Sequence, residues 1–230
     1  SFMAVKRASR ILGVKKAGHT GTLDPMATGV LVIMLGHCTR FIELLPEHRK
    51  GYTARVKLGL TTDTLDITGE VLTENPVNIT EEQLLSVAES FKGEISQVPP
   101  MYSAIKVNGK KLYELARKGI EVERQPRRVE IPVIDIIECK LPEVRFRVSC
   151  SKGTYIRTLC ADIGDKLGCG AAMKSLVRTR VGVFVLEEAW KLSEVEKMVE
   201  EGTLVEHVTA SDQVFMECPK AVVKSEFDKV

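Results

Sequence analysis

Apolar residues recur at helical spacing from the start of the chain, where Ala4, Ala8, Ile11 and Leu12 share one face and Lys6, Arg7 and Arg10 fall elsewhere. With Ser1 in the N-cap position and Gly13 as a stop, this predicts an amphipathic helix over residues 2–12. Residues 30–35, between Gly29 and Gly36, are uniformly apolar and predict a buried strand, while residues 52–58 alternate apolar and polar as a half-exposed strand does. Thr80-Glu-Glu-Gln83 forms a capping box ahead of Leu84, Leu85, Val87, Ala88 and Phe91, with Gly93 closing the helix. Another helix is predicted over residues 111–118, before Gly119. Val144, Phe146, Val148 and Cys150 alternate with Arg145, Arg147 and Ser149, so this strand has one basic face. A turn at Ser151-Lys-Gly153 leads into a helix that stacks Ile156, Leu159, Cys160, Ile163 and Leu167 and stops at Gly168. Ser193-Glu-Val-Glu196 reads as a second capping box, opening an acidic helix that ends at Gly202. Strands and helices thus interleave in one mixed α/β body up to about residue 186, followed by an acidic segment over residues 187–230. There is no internal repeat and no low-complexity linker.

Composition narrows the class. With 230 residues, of which 44% are hydrophobic, the chain can bury a sizeable core and is not a disordered segment. Its longest apolar run is six residues, far short of the roughly 20 needed to span a bilayer. The six cysteines, Cys38, Cys139, Cys150, Cys160, Cys169 and Cys218, include no C-x-x-C pair, which fits reduced thiols in a cytoplasmic protein. The opening residues lack the apolar stretch of a secretory signal, and the sequence is expected to begin inside an element.

The formal charge of +2 hides an asymmetry. Residues 187–230 carry 5 basic and 11 acidic side chains, leaving 28 basic against 20 acidic on residues 1–186. Positive charge gathers in three stretches: Lys6 with Arg7, Arg10, Lys15 and Lys16, then residues 106–128, then residues 145–180. Each is a candidate phosphate-binding surface or simply a solvated face. Three together favour a polyanionic partner.

No P-loop, dinucleotide fingerprint, zinc-protease or serine-hydrolase motif occurs in the chain. The unusual feature is the loop Gly18-His19-Thr20-Gly21-Thr22-Leu23-Asp24-Pro25-Met26-Ala27-Thr28-Gly29, where three glycines and a proline join a helix to a buried strand. Asp24 is the only acidic residue among the first 42 and follows five basic ones. A positive field would keep it ionised as a nucleophile or base; an Asp-Pro turn would bond it to nearby backbone instead.

This loop resembles the active-site loop of the TruB family, the bacterial tRNA pseudouridine synthases that modify uridine 55 in the TΨC loop. Further blocks follow in the family's order: Arg40-Phe41; Tyr52 through Leu58-Gly59-Leu-Thr-Thr-Asp-Thr-Leu-Asp66-Ile-Thr-Gly69; and Pro99-Pro100-Met-Tyr-Ser-Ala-Ile-Lys106 with Gly109-Lys-Lys-Leu-Tyr113. Ser151-Lys-Gly-Thr-Tyr155-Ile-Arg157-Thr-Leu, Leu167-Gly-Cys-Gly170 and Leu176-Val-Arg178-Thr-Arg-Val-Gly182-Val-Phe184 complete the series. Together they cover nearly all of residues 1–186.

The resemblance implies the pseudouridine synthase fold, a largely antiparallel central sheet with flanking helices and an active-site cleft across it. Residues 1–186 would be the catalytic domain. It also implies that Asp24 is the catalytic carboxylate, attacking the ribose C1′ or assisting formation of a glycal, that Arg157 pairs with Asp24, and that Tyr52 stacks on the uracil or takes a proton from the sugar. His19 would fill the place of the flipped base, and Tyr155 and Leu176 would line the pocket. Arg40, Lys106, Lys110 and Arg178 are candidate phosphate contacts. Asp66, within Thr62-Asp-Thr-Leu-Asp66, is read as part of a threonine-rich turn or a contact to the catalytic loop rather than a metal ligand, since two carboxylates are too few. The expected partner is the T stem-loop of tRNA, met by a monomer without cofactor, metal or membrane. The family also has a Lys-Pro-containing strand before the segment matching Ser1 and a PUA-type RNA-binding domain at its C-terminus, which residues 219–230 would open. Two other readings are a non-catalytic RNA-binding or RNA-folding module and the related RNA-guided pseudouridine synthase.

Overall fold

The computed structural model describes residues 1–45, 49–107 and 109–215. Cys218 and the stretch expected to open a PUA-type domain lie outside them. The chain divides into two units, one of Leu23–Val30 with His48–Ala189 and the other of Ser1–Thr22, Leu31–Glu47 and Trp190–Val230. The second unit joins segments far apart in the sequence, a grouping that the run of elements along the chain did not suggest.

In the larger unit a six-stranded sheet runs in the order Val133–Lys140, Glu143–Cys150, Lys50–Leu58, Ala171–Val181 and Phe184–Val185, with Thr28–Gly29 also paired to Ala171–Val181. Among the described strands of this sheet, the pairing of Thr28–Gly29 with Ala171–Val181 is parallel and the others are antiparallel. The mixed α/β architecture and its antiparallel sheet are as expected. Alternation fixes the faces: Tyr52, Ala54, Val56 and Leu58 are buried beside Val144, Phe146, Val148 and Cys150. Onto this face packs the helix Ile156–Lys166, which contributes Ile156, Leu159, Cys160 and Ile163 to the same core. Gly164 lets it approach closely, since a Cβ there would lie 2.2 Å from the amide nitrogen of Ala171. The helix Glu81–Glu89 also packs here through Leu84 and Ala88, and its capping box is present, with the Gln83 amide N–H donating to Thr80 Oγ1 and the Thr80 N–H to Gln83 Oε1. Peripheral hairpins pair Leu60–Thr62 with Val71–Glu74, Gly93–Gln97 with Arg127–Ile131, and Lys106–Val107 with Lys110–Lys111. The predicted helix over 111–118 is confined to Leu112–Ala116.

The smaller unit holds the helix Phe2–Ile11, the antiparallel pair Ala17–His19 and Ile33–Leu35, the 3-10 helix Gly36–Phe41 and the helix Leu192–Glu201. Arg7 meets Glu196 at 3.1 Å across the two α-helices, and Trp190 stacks edge-on against His207. Two expectations are corrected here. The apolar run 30–35 is not one strand: Val30 is tied to Arg178 through its backbone, and strand pairing resumes only at Ile33. The acidic helix begins before Ser193, because Glu194 reaches back to the backbone N–H of Lys191 and caps the helix there.

Candidate active site

Asp24 sits on a short loop whose far end is riveted to the central sheet. The N–H of Val30 donates to the Arg178 carbonyl at 2.8 Å, and Arg178 Nε donates to the Val30 carbonyl at 2.8 Å. Thr28 and Gly29 run beside Val177 and Arg178. Gly29, at φ +102°, is required by this approach: a Cβ would stand 2.1 Å from the Arg178 carbonyl oxygen. Within the loop, the Ala27 N–H donates to the Asp24 carbonyl in a turn, leaving the carboxylate free to point elsewhere.

That carboxylate is held by Arg157, in the first turn of the helix Ile156–Lys166. Nε donates to Oδ2 at 2.8 Å and Nη2 to Oδ1 at 3.1 Å, a two-point pairing that fixes orientation as well as charge. The remaining guanidinium donors go to the carbonyl of Tyr102 at 2.8 Å and that of Thr64 at 3.0 Å, and Asp66 Oδ2 lies 3.6 Å from Nη1. Asp66 is itself fixed by the hydroxyls of Thr64 and Thr68 and the Thr68 N–H. Asp66 is therefore the buried carboxylate of a threonine-rich turn, and it touches Arg157 rather than the Asp24 loop. Of the three charged side chains, Arg157 and Asp66 are 6% and 7% exposed, whereas Asp24 is 32% exposed. The arginine is locked from behind and offers one accessible carboxylate at the front.

Tyr52 lies opposite Arg178 in the sheet register and is buried. Burial, reinforced by the negative charge of Asp24 and the Cys150 thiol, pushes its phenol up to about 12, outweighing the nearby Arg178 guanidinium. Leu176, opposite Ala54, is buried on the same sheet face. Tyr155 is half-buried as the N-cap residue of the helix that carries Arg157, and burial raises its phenol too. Lys50 is lowered, first by burial and then by the Arg178 guanidinium.

The structure thus brings Asp24 and Arg157 into direct contact and gathers Tyr52, Tyr155 and Leu176 in the same unit. Lys106 and Lys110 are exposed on their hairpin. His19 and Arg40 belong to the other unit, His19 half-buried at the end of its strand and Arg40 exposed on the 3-10 helix. Arg178 does not suit the phosphate contact expected of it. Its side chain is directed to the inner sheet face, is fully buried, and anchors the Asp24 loop. Sequence reasoning missed Gln97 and the carbonyls of Thr64 and Tyr102. Carbonyls leave no sequence signal, but Gln97 did leave one: it shares a strand face with Ile95, where an apolar residue is the norm.

Comparison with known proteins places the chain in a family. The model described as "TruB family pseudouridylate synthase (N terminal domain)" matches residues 9–156, and that described as "tRNA pseudouridylate synthase B C-terminal domain" matches residues 157–216. A protein from Clostridium tetani described as tRNA pseudouridine synthase B is 52% identical over 86% of this chain and 68% of its own length. One of the same description from Clostridium acetobutylicum is 45% identical over all of this chain and 78% of its own. Among solved structures, a chain of a Cbf5-Nop10-Gar1 complex superposes with a TM-score of 0.71 at 30% identity, covering 92% of this chain and 56% of that one. No helix among the described residues is long and apolar enough to cross a membrane. Two family models in sequence order and relatives at this identity leave one assignment: the chain belongs to the TruB family of pseudouridylate synthases and is an isomerase.

Proposed function

We propose that the chain converts uridine 55 in the TΨC loop of tRNA to pseudouridine, with Asp24 as the catalytic carboxylate. The observation that carries this reading is the pairing of an accessible Asp24 with a buried Arg157 that is also held by the carbonyls of Tyr102 and Thr64 and faces Asp66. The reaction is an isomerisation: N1–C1′ breaks, the uracil turns over, C5–C1′ forms, the C5 hydrogen leaves to water and N1 gains a proton. It calls for a carboxylate that approaches the sugar in one orientation, which the two-point clamp supplies. Asp24 either bonds to C1′ or takes the proton whose loss gives a glycal. Tyr52, with a phenol that remains protonated at neutral pH, serves as a neutral ring against the uracil and as a hydroxyl donor rather than as a phenolate base. Tyr155 and Leu176 line the base pocket.

Exposed Lys106, Lys110 and Arg40 supply phosphate contacts. A stand-alone enzyme fits better than an RNA-guided one, since identity is 44–52% to proteins described as tRNA pseudouridine synthase B and 30% to the Cbf5 chain. The test is tRNA transcript carrying tritium at uracil C5. Purified protein alone should release the label to water, from position 55 only, and Asp24→Asn should abolish release while still binding tRNA. Release by Asp24→Asn at the unmodified rate would end the proposal.

A further inference from the structure

The strand Gly93–Gln97 ends on a side chain that the catalytic proposal does not use. Gln97 is 2% exposed. Its Oε1 accepts the backbone N–H of Tyr155 at 2.7 Å, and its Nε2 donates to the carbonyl of the same residue at 3.1 Å. A single amide side chain thus satisfies both backbone groups of Tyr155, much as a neighbouring strand would. Tyr155 is the N-cap residue of the helix Ile156–Lys166, so fixing its peptide groups fixes where that helix starts and how its first turn is rotated. Arg157 is in that first turn. The same segment returns to the guanidinium five residues later, where the Tyr102 carbonyl accepts from Arg157 Nη2 at 2.8 Å. Two contacts from one stretch of chain therefore bracket the helix start and the arginine.

We propose that Gln97 is a positioning residue for the isomerase: through Tyr155 it sets the first turn of this helix and so the angle at which Arg157 presents Asp24 to the ribose. The amide is suited to this because it carries an acceptor and a donor side by side without charge at any pH in the working range. Glutamate matches it only when protonated, when its carbonyl accepts from the Tyr155 N–H and its hydroxyl donates to the Tyr155 carbonyl. Methionine matches its shape and makes neither bond. This inference rests on the uridine-isomerase reading for its activity measurement, and a second measurement stands apart from it.

The test compares the protein with Gln97→Met and Gln97→Glu, following single-turnover tritium release from tRNA, tRNA affinity, and hydrogen-exchange protection of the Tyr155 amide across pH 5.5–8.5. Gln97→Met should lower the single-turnover rate by about tenfold or more, the scale of a small misplacement of a catalytic group, with tRNA affinity unchanged. Its Tyr155 amide should lose protection by a similar factor. Gln97→Glu should be impaired at high pH and recover relative to the unsubstituted protein as pH falls, in rate and in protection alike. A folded Gln97→Met that turns over at the original rate, or a Tyr155 amide as protected as before, overturns the proposal. So does a Gln97→Glu deficit that is the same at every pH, a comparison that holds even if Gln97→Met fails to fold. Absence of tritium release from the unsubstituted protein strikes the uridine-isomerase reading instead, and the Tyr155 protection then decides the positioning role by itself.

Discussion

Arg157 is the residue on which the most charge depends. It holds two carboxylates, and with a side chain 6% exposed it can exchange neither for water. A buried pair of this kind adds little relative to an apolar replacement of both partners, because desolvation offsets the attraction. Removing one partner alone typically costs about 3–5 kcal/mol. Arg157→Met should accordingly lower stability in urea by about that much at pH 7, since Asp66 would remain buried without its cation. A loss below about 1 kcal/mol at pH 7 would mean that the threonine hydroxyls around Asp66 suffice without the guanidinium. The family resemblance supplied the pairing of Arg157 with Asp24, but the residues alone left it open: helical spacing identifies an apolar face from Ile156, Leu159, Cys160 and Ile163 and says nothing of a charged side chain turned inward between them. Such a placement needs partners from three separate segments, around Asp24, Asp66 and Tyr102, which no local pattern encodes.

At the scale of the element, the helix Ile156–Lys166 joins chemistry to core, and Gly164 sets its distance from the sheet. An exposed helical glycine normally gains about 1 kcal/mol on replacement by alanine. Here the sign should reverse, because the added Cβ would meet the backbone of Ala171 at 2.2 Å and Gly170 at 2.4 Å. Gly164→Ala should destabilise by about 1–3 kcal/mol, the usual cost of overpacking, as measured by denaturant unfolding. Asp162, on the same helix, is raised to about 6 by burial and then by the adjacent Asp165. A carboxyl whose folded pKa exceeds its unfolded one makes the native state bind protons more tightly. Its contribution is fully present below about pH 4, the unfolded value, and lost as pH rises through about 6. Asp162→Asn should therefore raise Tm relative to the unsubstituted protein at pH 7.5 and lose that advantage by pH 4; an equal difference at both pH values would contradict it. The helix and its glycine stop were legible in the sequence. The apolar run 30–35 was not, because a uniformly apolar segment has no face to choose, and its division follows from two different partners, Arg178 for Val30 and the strand Ala17–His19 for Ile33–Leu35.

Across the whole molecule, the three basic stretches read from the sequence are not equivalent once folded. Much of the positive charge over residues 145–180 is spent internally: Arg147 pairs with Asp135, Arg145 with Glu138 and Lys174 with Glu143, while Arg157 and Arg178 are buried. The stretch 106–128 differs. Lys106, Lys110, Lys118, Arg127 and Arg128 are exposed there, and among the described residues Arg124 is the arginine of this stretch with a carboxylate partner, Glu121. Counterion release makes the salt dependence of RNA affinity a count of phosphate contacts, with a slope of about −0.7 to −0.9 per contact in a plot of log affinity against log salt. Replacing Lys106 and Lys110 together by alanine should flatten that slope for tRNA by about 1.4–1.8 between 50 and 200 mM KCl. Arg147→Ala should leave it almost unchanged, since the arginine already neutralises Asp135 and removing it frees a carboxylate rather than a phosphate site. Filter binding over that salt range separates the two. A steeper loss from Arg147→Ala than from the lysine pair would move the RNA track to the outer strands of the sheet and away from the Lys106–Lys110 hairpin.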